Sequence, residues 1–186
     1  HARSYVDFDT ARRYLEFLGN RVTYVQNFTD IEEVIIRRAA LVGKPPLEYA
    51  QFYIDAFLDE KFAQYGLDET STVLIGFSQG TMMSLHVGLR RPRQLAGIVG
   101  FSGALAGAEV LKDEIRSQPP ILLTHGDADE MLPHQLTEQA AIDLQKNGVE
   151  VAVHISQGVG HGIDQTALSQ AARFLLNVLK LPVPKQ

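Results

Sequence analysis

The chain has 186 residues, enough for one domain with a substantial core and too few for two of ordinary size. Hydrophobic residues make up 45% and charged residues 21%, the balance of a soluble globular protein, and the net charge of −5 comes without the basic run of a nucleic-acid footprint. There is no cysteine, which excludes disulfides and thiolate metal sites, and no apolar run reaches membrane-spanning length. No secretory signal is visible, so a cytoplasmic setting is expected. The chain opens on His1 rather than Met, which implies that something upstream is removed or left out.

Taken in order, Phe8 to Leu18 carries apolar residues at helical spacing and stops at Gly19-Asn20. Arg21 to Gln26 alternates and is rich in β-branched and aromatic residues, so it reads as a strand. Thr29 or Asp30 caps a helix through Ile31 to Leu41, ended by Gly43 and Pro45-Pro46. A longer helix runs from about Leu47 to Tyr65, with Tyr49, Phe52, Tyr53, Phe57 and Phe62 as an aromatic stripe read as core packing.

From Gly66 onward strands and helices alternate. Strand Thr72–Ile75 precedes helix Gln79–Arg90, stopped by Pro92, and strand Leu95–Phe101 precedes a helical stretch near Glu109–Arg116. Strand Ile121–Thr124 is followed by helix Gln135–Asn147, and strand Glu150–Ile155 by a helix from Thr166 to Leu179. This is the pattern of a three-layer αβα domain, its mostly parallel sheet covered by helices on both faces. Right-handed crossovers then bring every strand C-terminus to one edge of the sheet.

Three of the loops on that edge carry chemistry. Gly76-Phe77-Ser78-Gln79-Gly80 places a serine at a strand–helix turn with a glycine two places to either side. The flanking glycines are expected to let strand and helix pack close, and the Gln79 N–H at the helix start faces a developing oxyanion. A serine hydroxyl needs an adjacent base, and the base needs a carboxylate to fix its tautomer. His161, in the glycine-rich turn Gly158-Val-Gly-His-Gly162, is the candidate base. His125 precedes Gly126 at a strand end and is read as packing or hydrogen-bonding locally. His86 and His154 are read as structural, His134 as exposed, and His1 as terminal. Asp127 and Asp129 compete as the acid; Asp129 reaches further over the edge and is preferred, while Asp164 suits a helix cap. The order Ser, acid, His is that of α/β-hydrolases.

From about Phe57 to the end, the chain resembles the phospholipase/carboxylesterase branch of α/β-hydrolases, which includes acyl-protein thioesterases. The residues that carry the resemblance are Gly76-Phe-Ser-Gln-Gly80, Met82-Met83, Gly100-Phe-Ser-Gly103, His125-Gly-Asp-Ala-Asp129 with Leu132-Pro133, and Gly160-His161-Gly162. The resemblance implies Ser78 as nucleophile, Asp129 as acid, His161 as base and the Gln79 N–H as one oxyanion donor. The family's earlier Leu-His-Gly-x-Gly turn, source of the second donor, has no counterpart before Ser78.

Residues 1–57 instead resemble cysteinyl-tRNA synthetase, through HARSYV, ARRYLEFLGNRVTYVQNFTDIEE, IIRRA and a tyrosine-rich helix after Pro46. On that match His1 is the last histidine of the synthetase's His-Ile-Gly-His signature, and the seam falls near Phe57–Glu60. The whole reads as one domain and as an engineered chimera, a Rossmann-like fragment joined to an α/β-hydrolase half. Strand Arg21–Gln26 must then pair beside Thr72–Ile75, or the sheet has a gap; an unpaired edge there favours a homodimer. Synthetase activity is set aside, since the rest of the signature, the lysine loop and the zinc site are absent. The expected function is a serine carboxylesterase on small acyl esters, weak for want of the second oxyanion turn and needing no metal or organic cofactor. The alternative is a silent scaffold that retains the esterase residues.

Overall fold

The computed structural model describes residues 9, 12–17, 19, 21–22 and 32–182. These divide into two compact units, residues 1–22 with 69–186 and residues 23–68.

The larger unit is built on a four-stranded parallel sheet in the order β1-β2-β3-β4, with β1 at Val73–Phe77, β2 at Gly97–Phe101, β3 at Ile121–Gly126 and β4 at Val151–Ser156. The period-two alternation of a strand explains how this sheet has two buried faces. Ile98, Ile121 and Leu123 point to one face, where Leu85, Leu89, Leu111, Ala140, Ala141 and Leu144 cover them. Val99, Phe101 and Leu122 point to the other, under Ala167, Ala171 and Leu175 together with Leu15 and Val22. Residues 12–17 are helical, as the spacing of Phe8 to Leu18 predicts. The expected strand Arg21–Gln26 is not seen at Arg21 and Val22, and its remainder lies outside the described residues. Among the described residues β1 is one edge of the sheet and β4 the other.

In the smaller unit, α1 (Glu32–Leu41) packs against α2 (Pro46–Tyr65). Pro46 at the first turn and left-handed Gly66 after the last bracket α2, as the fixed φ of proline and the freedom of glycine favour. The aromatic stripe is only partly core. Phe62 is buried, but Phe52 and Tyr53 are 63% and 53% exposed and pack edge-on to each other. The expected caps Thr29 and Asp30 lie outside the described residues.

The remaining helices are α3 (Gln79–Arg90), α4 (Leu111–Glu114), α5 (Gln135–Lys146) and α6 (Gln165–Val178). The stretch expected to be helical over Glu109–Arg116 keeps only α4. After Ile115 the chain turns away, and the Arg116 and Ser117 N–H groups donate to the Leu89 carbonyl at the end of α3. Strand β3 runs past Thr124 because His125 and Gly126 still pair with Ile155 and Ser156.

Candidate active site

The turn between β1 and α3 holds Ser78 at φ 55°, ψ −118°, a conformation that costs a residue with a side chain about 1–3 kcal/mol. The strain is held by β2. The Ser78 N–H donates to the Phe101 carbonyl at 2.8 Å, and Thr81 Oγ1 lies 2.9 Å from both the Gly76 and Phe101 carbonyls. A Cβ on Gly76 would run into the Gly80 carbonyl, so strand and helix cross there only because position 76 has none. Position 80 is different from what the motif suggests: a Cβ there meets nothing within 4 Å. Of the two flanking glycines, only Gly76 is required by packing. Gln79 opens α3, and its N–H, like that of any first-turn residue, is outside the helix's own ladder.

Asp129 comes from the loop after β3, with its side chain fully buried. Its Oδ1 accepts the Met131 and Leu132 N–H groups, both at 2.9 Å, which fixes the carboxylate plane. Its Oδ2 lies 2.6 Å from His161 Nδ1 and 2.9 Å from His125 Nε2. Burial alone would raise this carboxyl, but the Leu132 N–H, the His161 bond and the Met131 N–H together hold it below its ordinary value. It is an anion at neutral pH. A carboxylate only accepts, so His161 Nδ1 carries the proton of this bond, and Nε2 is the nitrogen that the bond leaves outside it.

The loop after β4 is stitched to the acid loop by the backbone. Ala128 N–H donates to the Val159 carbonyl at 3.0 Å, Asp127 Oδ1 accepts the Gly158 N–H at 2.6 Å, and a Cβ on Gly126 would collide with Val159. Ser102 Oγ adds a bond of 3.3 Å to the Gly162 carbonyl. The His161 ring rests against Phe77, the residue before the serine, with centroids 4.9 Å apart.

The structure therefore bonds Asp129, and neither Asp127 nor Asp164, to His161. Asp127 ties the turn, and Asp164 caps α6 by accepting the Ala167 N–H at 2.9 Å. No hydrogen bond joins Ser78 to His161 among the described residues. His86 is buried in α3 and pushed down to about 4 by that burial and by Arg90, against the opposing pull of Glu114. His134 lies 3.8 Å from Glu138, and His154 sits on β4. Sequence reasoning missed Thr81, and it read His125 only as packing or hydrogen-bonding locally, not as a partner of the carboxylate that also meets His161. Thr81, one helical turn after the serine, pins the elbow to β2, and His125 shares the acid. The i,i+4 spacing of His125 and Asp129 was the available signal for that partnership.

A parallel sheet that delivers Ser, Asp and His in this chain order, each from a loop after a strand, defines the α/β-hydrolase class. Comparison with known proteins is more specific. The phospholipase/carboxylesterase family pattern matches residues 47–179, and the chain belongs to that family. Esterase PE8 is 41% identical in sequence, with a TM-score of 0.71 over 82% of this chain and 68% of that one. SOBER1 of Arabidopsis thaliana is 25% identical, with a TM-score of 0.67 over 74% of this chain and 69% of its own.

The front of the chain matches something else. Residues 1–72 fit the catalytic-domain pattern of class I (C) tRNA synthetases. A cysteine–tRNA ligase of Lacticaseibacillus casei is 51% identical over 63 residues, which are 34% of this chain and 14% of the ligase. The chain thus spans about one-seventh of the ligases it matches. The two family matches overlap at residues 47–72, which contain the seam expected near Phe57–Glu60. Among the described residues no helix is long and apolar enough to cross a membrane.

Proposed function

We propose that the chain is a serine carboxylesterase acting on small acyl esters. Ser78 Oγ attacks the ester carbonyl carbon while His161 Nε2 takes its proton, and Asp129 stabilises the imidazolium that forms. The Gln79 N–H donates to the oxyanion of the tetrahedral intermediate, which collapses to acyl-Ser78 as His161 returns the proton to the leaving alcohol. Water, deprotonated by His161, then attacks the acyl-enzyme and releases the acid. The observation that carries this reading is the 2.6 Å bond from His161 Nδ1 to a buried, doubly capped Asp129, which leaves Nε2 as the basic nitrogen. The likeness to a protein described as an esterase supports the same class.

A second reading, a folded scaffold that keeps the esterase residues without turnover, is favoured by the missing Ser78–His161 hydrogen bond and the missing second oxyanion turn. Loss of one oxyanion donor typically costs about 10²- to 10³-fold in rate, so weak turnover is expected of the esterase. Hydrolysis of p-nitrophenyl acetate by the chain and by its Ser78→Ala variant separates the two. Turnover lost in the variant supports the esterase; no turnover, or turnover equal in both, supports the scaffold.

A further inference from the structure

His125 makes more contacts than a histidine filling space beneath a carboxylate needs. Its side chain is fully buried, with Nε2 2.9 Å from both Asp129 Oδ2 and the Leu132 carbonyl. Its Nδ1 is 2.6 Å from Thr137 Oγ1, and that oxygen is itself 2.6 Å from the Gly103 carbonyl. Counting protons decides the state of the ring. Nε2 faces two acceptors, so it carries hydrogen. The Thr137 hydroxyl has one hydrogen and two neighbours. If it goes to Gly103, as the geometry has it, Nδ1 must donate to Oγ1. If it goes to Nδ1, two oxygens are left 2.6 Å apart with no proton between them, a close approach of lone pairs in a buried site. A ring protonated on both nitrogens gives each of these contacts its own proton.

We infer that His125 is a positioning residue held as a buried imidazolium, which shares Asp129 Oδ2 with His161 and so sets how tightly His161 holds its proton. The inference rests on the esterase reading for its purpose, but not for its geometry. One carboxylate oxygen serves two histidines, at 2.6 and 2.9 Å. The charge on His125 offsets part of the Asp129 charge that His161 sees. The same residue anchors the Asp129 loop to α5 through Thr137, and through that hydroxyl to the Gly103 carbonyl in the loop after β2. Among the described residues the titratable groups in this chain of contacts are Asp129, bonded directly, and His161 across the shared oxygen; α5 contributes the neutral Thr137 and the loop after β2 the neutral Gly103. The arrangement is demanding sterically as well, because a Cβ on Gly103 would collide with Thr81 behind the serine.

Nitrogen-resolved imidazole NMR on the full chain tests the inference without relying on turnover. At pH 7 both His125 ring nitrogens are expected to report as protonated; one nitrogen reporting a bare lone pair overturns the assignment. In the His125→Gln variant, which keeps a neutral donor and loses the charge, the midpoint of the His161 titration is expected to rise by about 1 pH unit. An unchanged midpoint in the folded variant contradicts the positioning role. If that variant does not fold, the native spectrum still decides the charge. Absence of p-nitrophenyl acetate turnover would sink the esterase reading and leave both NMR outcomes standing.

Discussion

Phe77 and His161 lie ring against ring, centroids 4.9 Å apart and planes tilted by 53°, so the residue before Ser78 braces the His161 imidazole. One face of the imidazole is thereby fixed by packing and one nitrogen by Asp129. Removing the brace leaves the chemistry present but poorly aimed. Phe77→Ala is expected to lower kcat by about 10- to 100-fold, with a smaller change in KM, because small misplacements of a catalytic group cost that much. Steady-state kinetics on a short acyl ester checks it; a kcat within twofold of native would show that Asp129 alone orients the ring.

The two glycines of the elbow are expected to behave oppositely. Gly76→Ala forces a methyl group into the backbone of Gly80, where no flexible side chain can give way. It should cost about 2 kcal/mol or more. Gly80→Ala adds its methyl to open space within α3 and should stabilise by about 0.5–1 kcal/mol. Urea unfolding of both variants measures this difference in sign.

The three aspartates on the loop edge separate by role. Asp129→Asn removes the anion and misdirects the His161 tautomer, so activity should fall by about 10⁴-fold. Asp127→Asn leaves the pair untouched and should change activity little, since the Asp127 carboxylate ties the turn at Gly158. Asp164→Ala removes a cap on α6 and should cost about 1 kcal/mol of stability without a comparable loss of rate. Parallel kinetics and melting curves on the three variants resolve them.

His86 gives the fold a pH dependence of its own. Its folded value is depressed to about 4 from an ordinary 6.5, so the unfolded chain binds the extra proton first. The contribution is complete above about 6.5 and is lost progressively as pH falls toward 4. Its size is on the order of 3 kcal/mol, at 1.36 kcal/mol per unit. Asp129 and Asp164, whose folded values are lowered, lose their contributions only below the ordinary 3.8, outside this window. Denaturation midpoints from pH 7 to 4 should therefore fall in the native chain and fall much less in His86→Leu.

Helix α3 was legible to the residue because the Ser78 turn opens it and Pro92 follows its end. The apolar strands were legible too, though Gly126 and Ser156 extend theirs through pairing that no local pattern announces. That Asp129 and His161 meet could be read from loop order, since parallel topology brings those loops together whatever their details. What local pattern could not give was contact across elements. The end of α4 depends on the Leu89 carbonyl, the openness at Gly80 on where α3 sits, and the sharing of Asp129 on how His125 turns within the core. The aromatic stripe of α2 is core only in part, for a related reason. Residues three and four apart share a face only with their neighbours, and Phe52 and Tyr53, adjacent in sequence, point away from buried Leu58 and Phe62.

The central claim is that the Asp129–His161 pair activates Ser78. Labelling by a fluorophosphonate probe, with the modified residue located by mass spectrometry, tests it most directly. The account predicts that the native chain is labelled at Ser78 and that labelling is abolished or slowed at least about 100-fold in His161→Ala. An unlabelled native chain, or equal labelling rates in the two proteins, would contradict it.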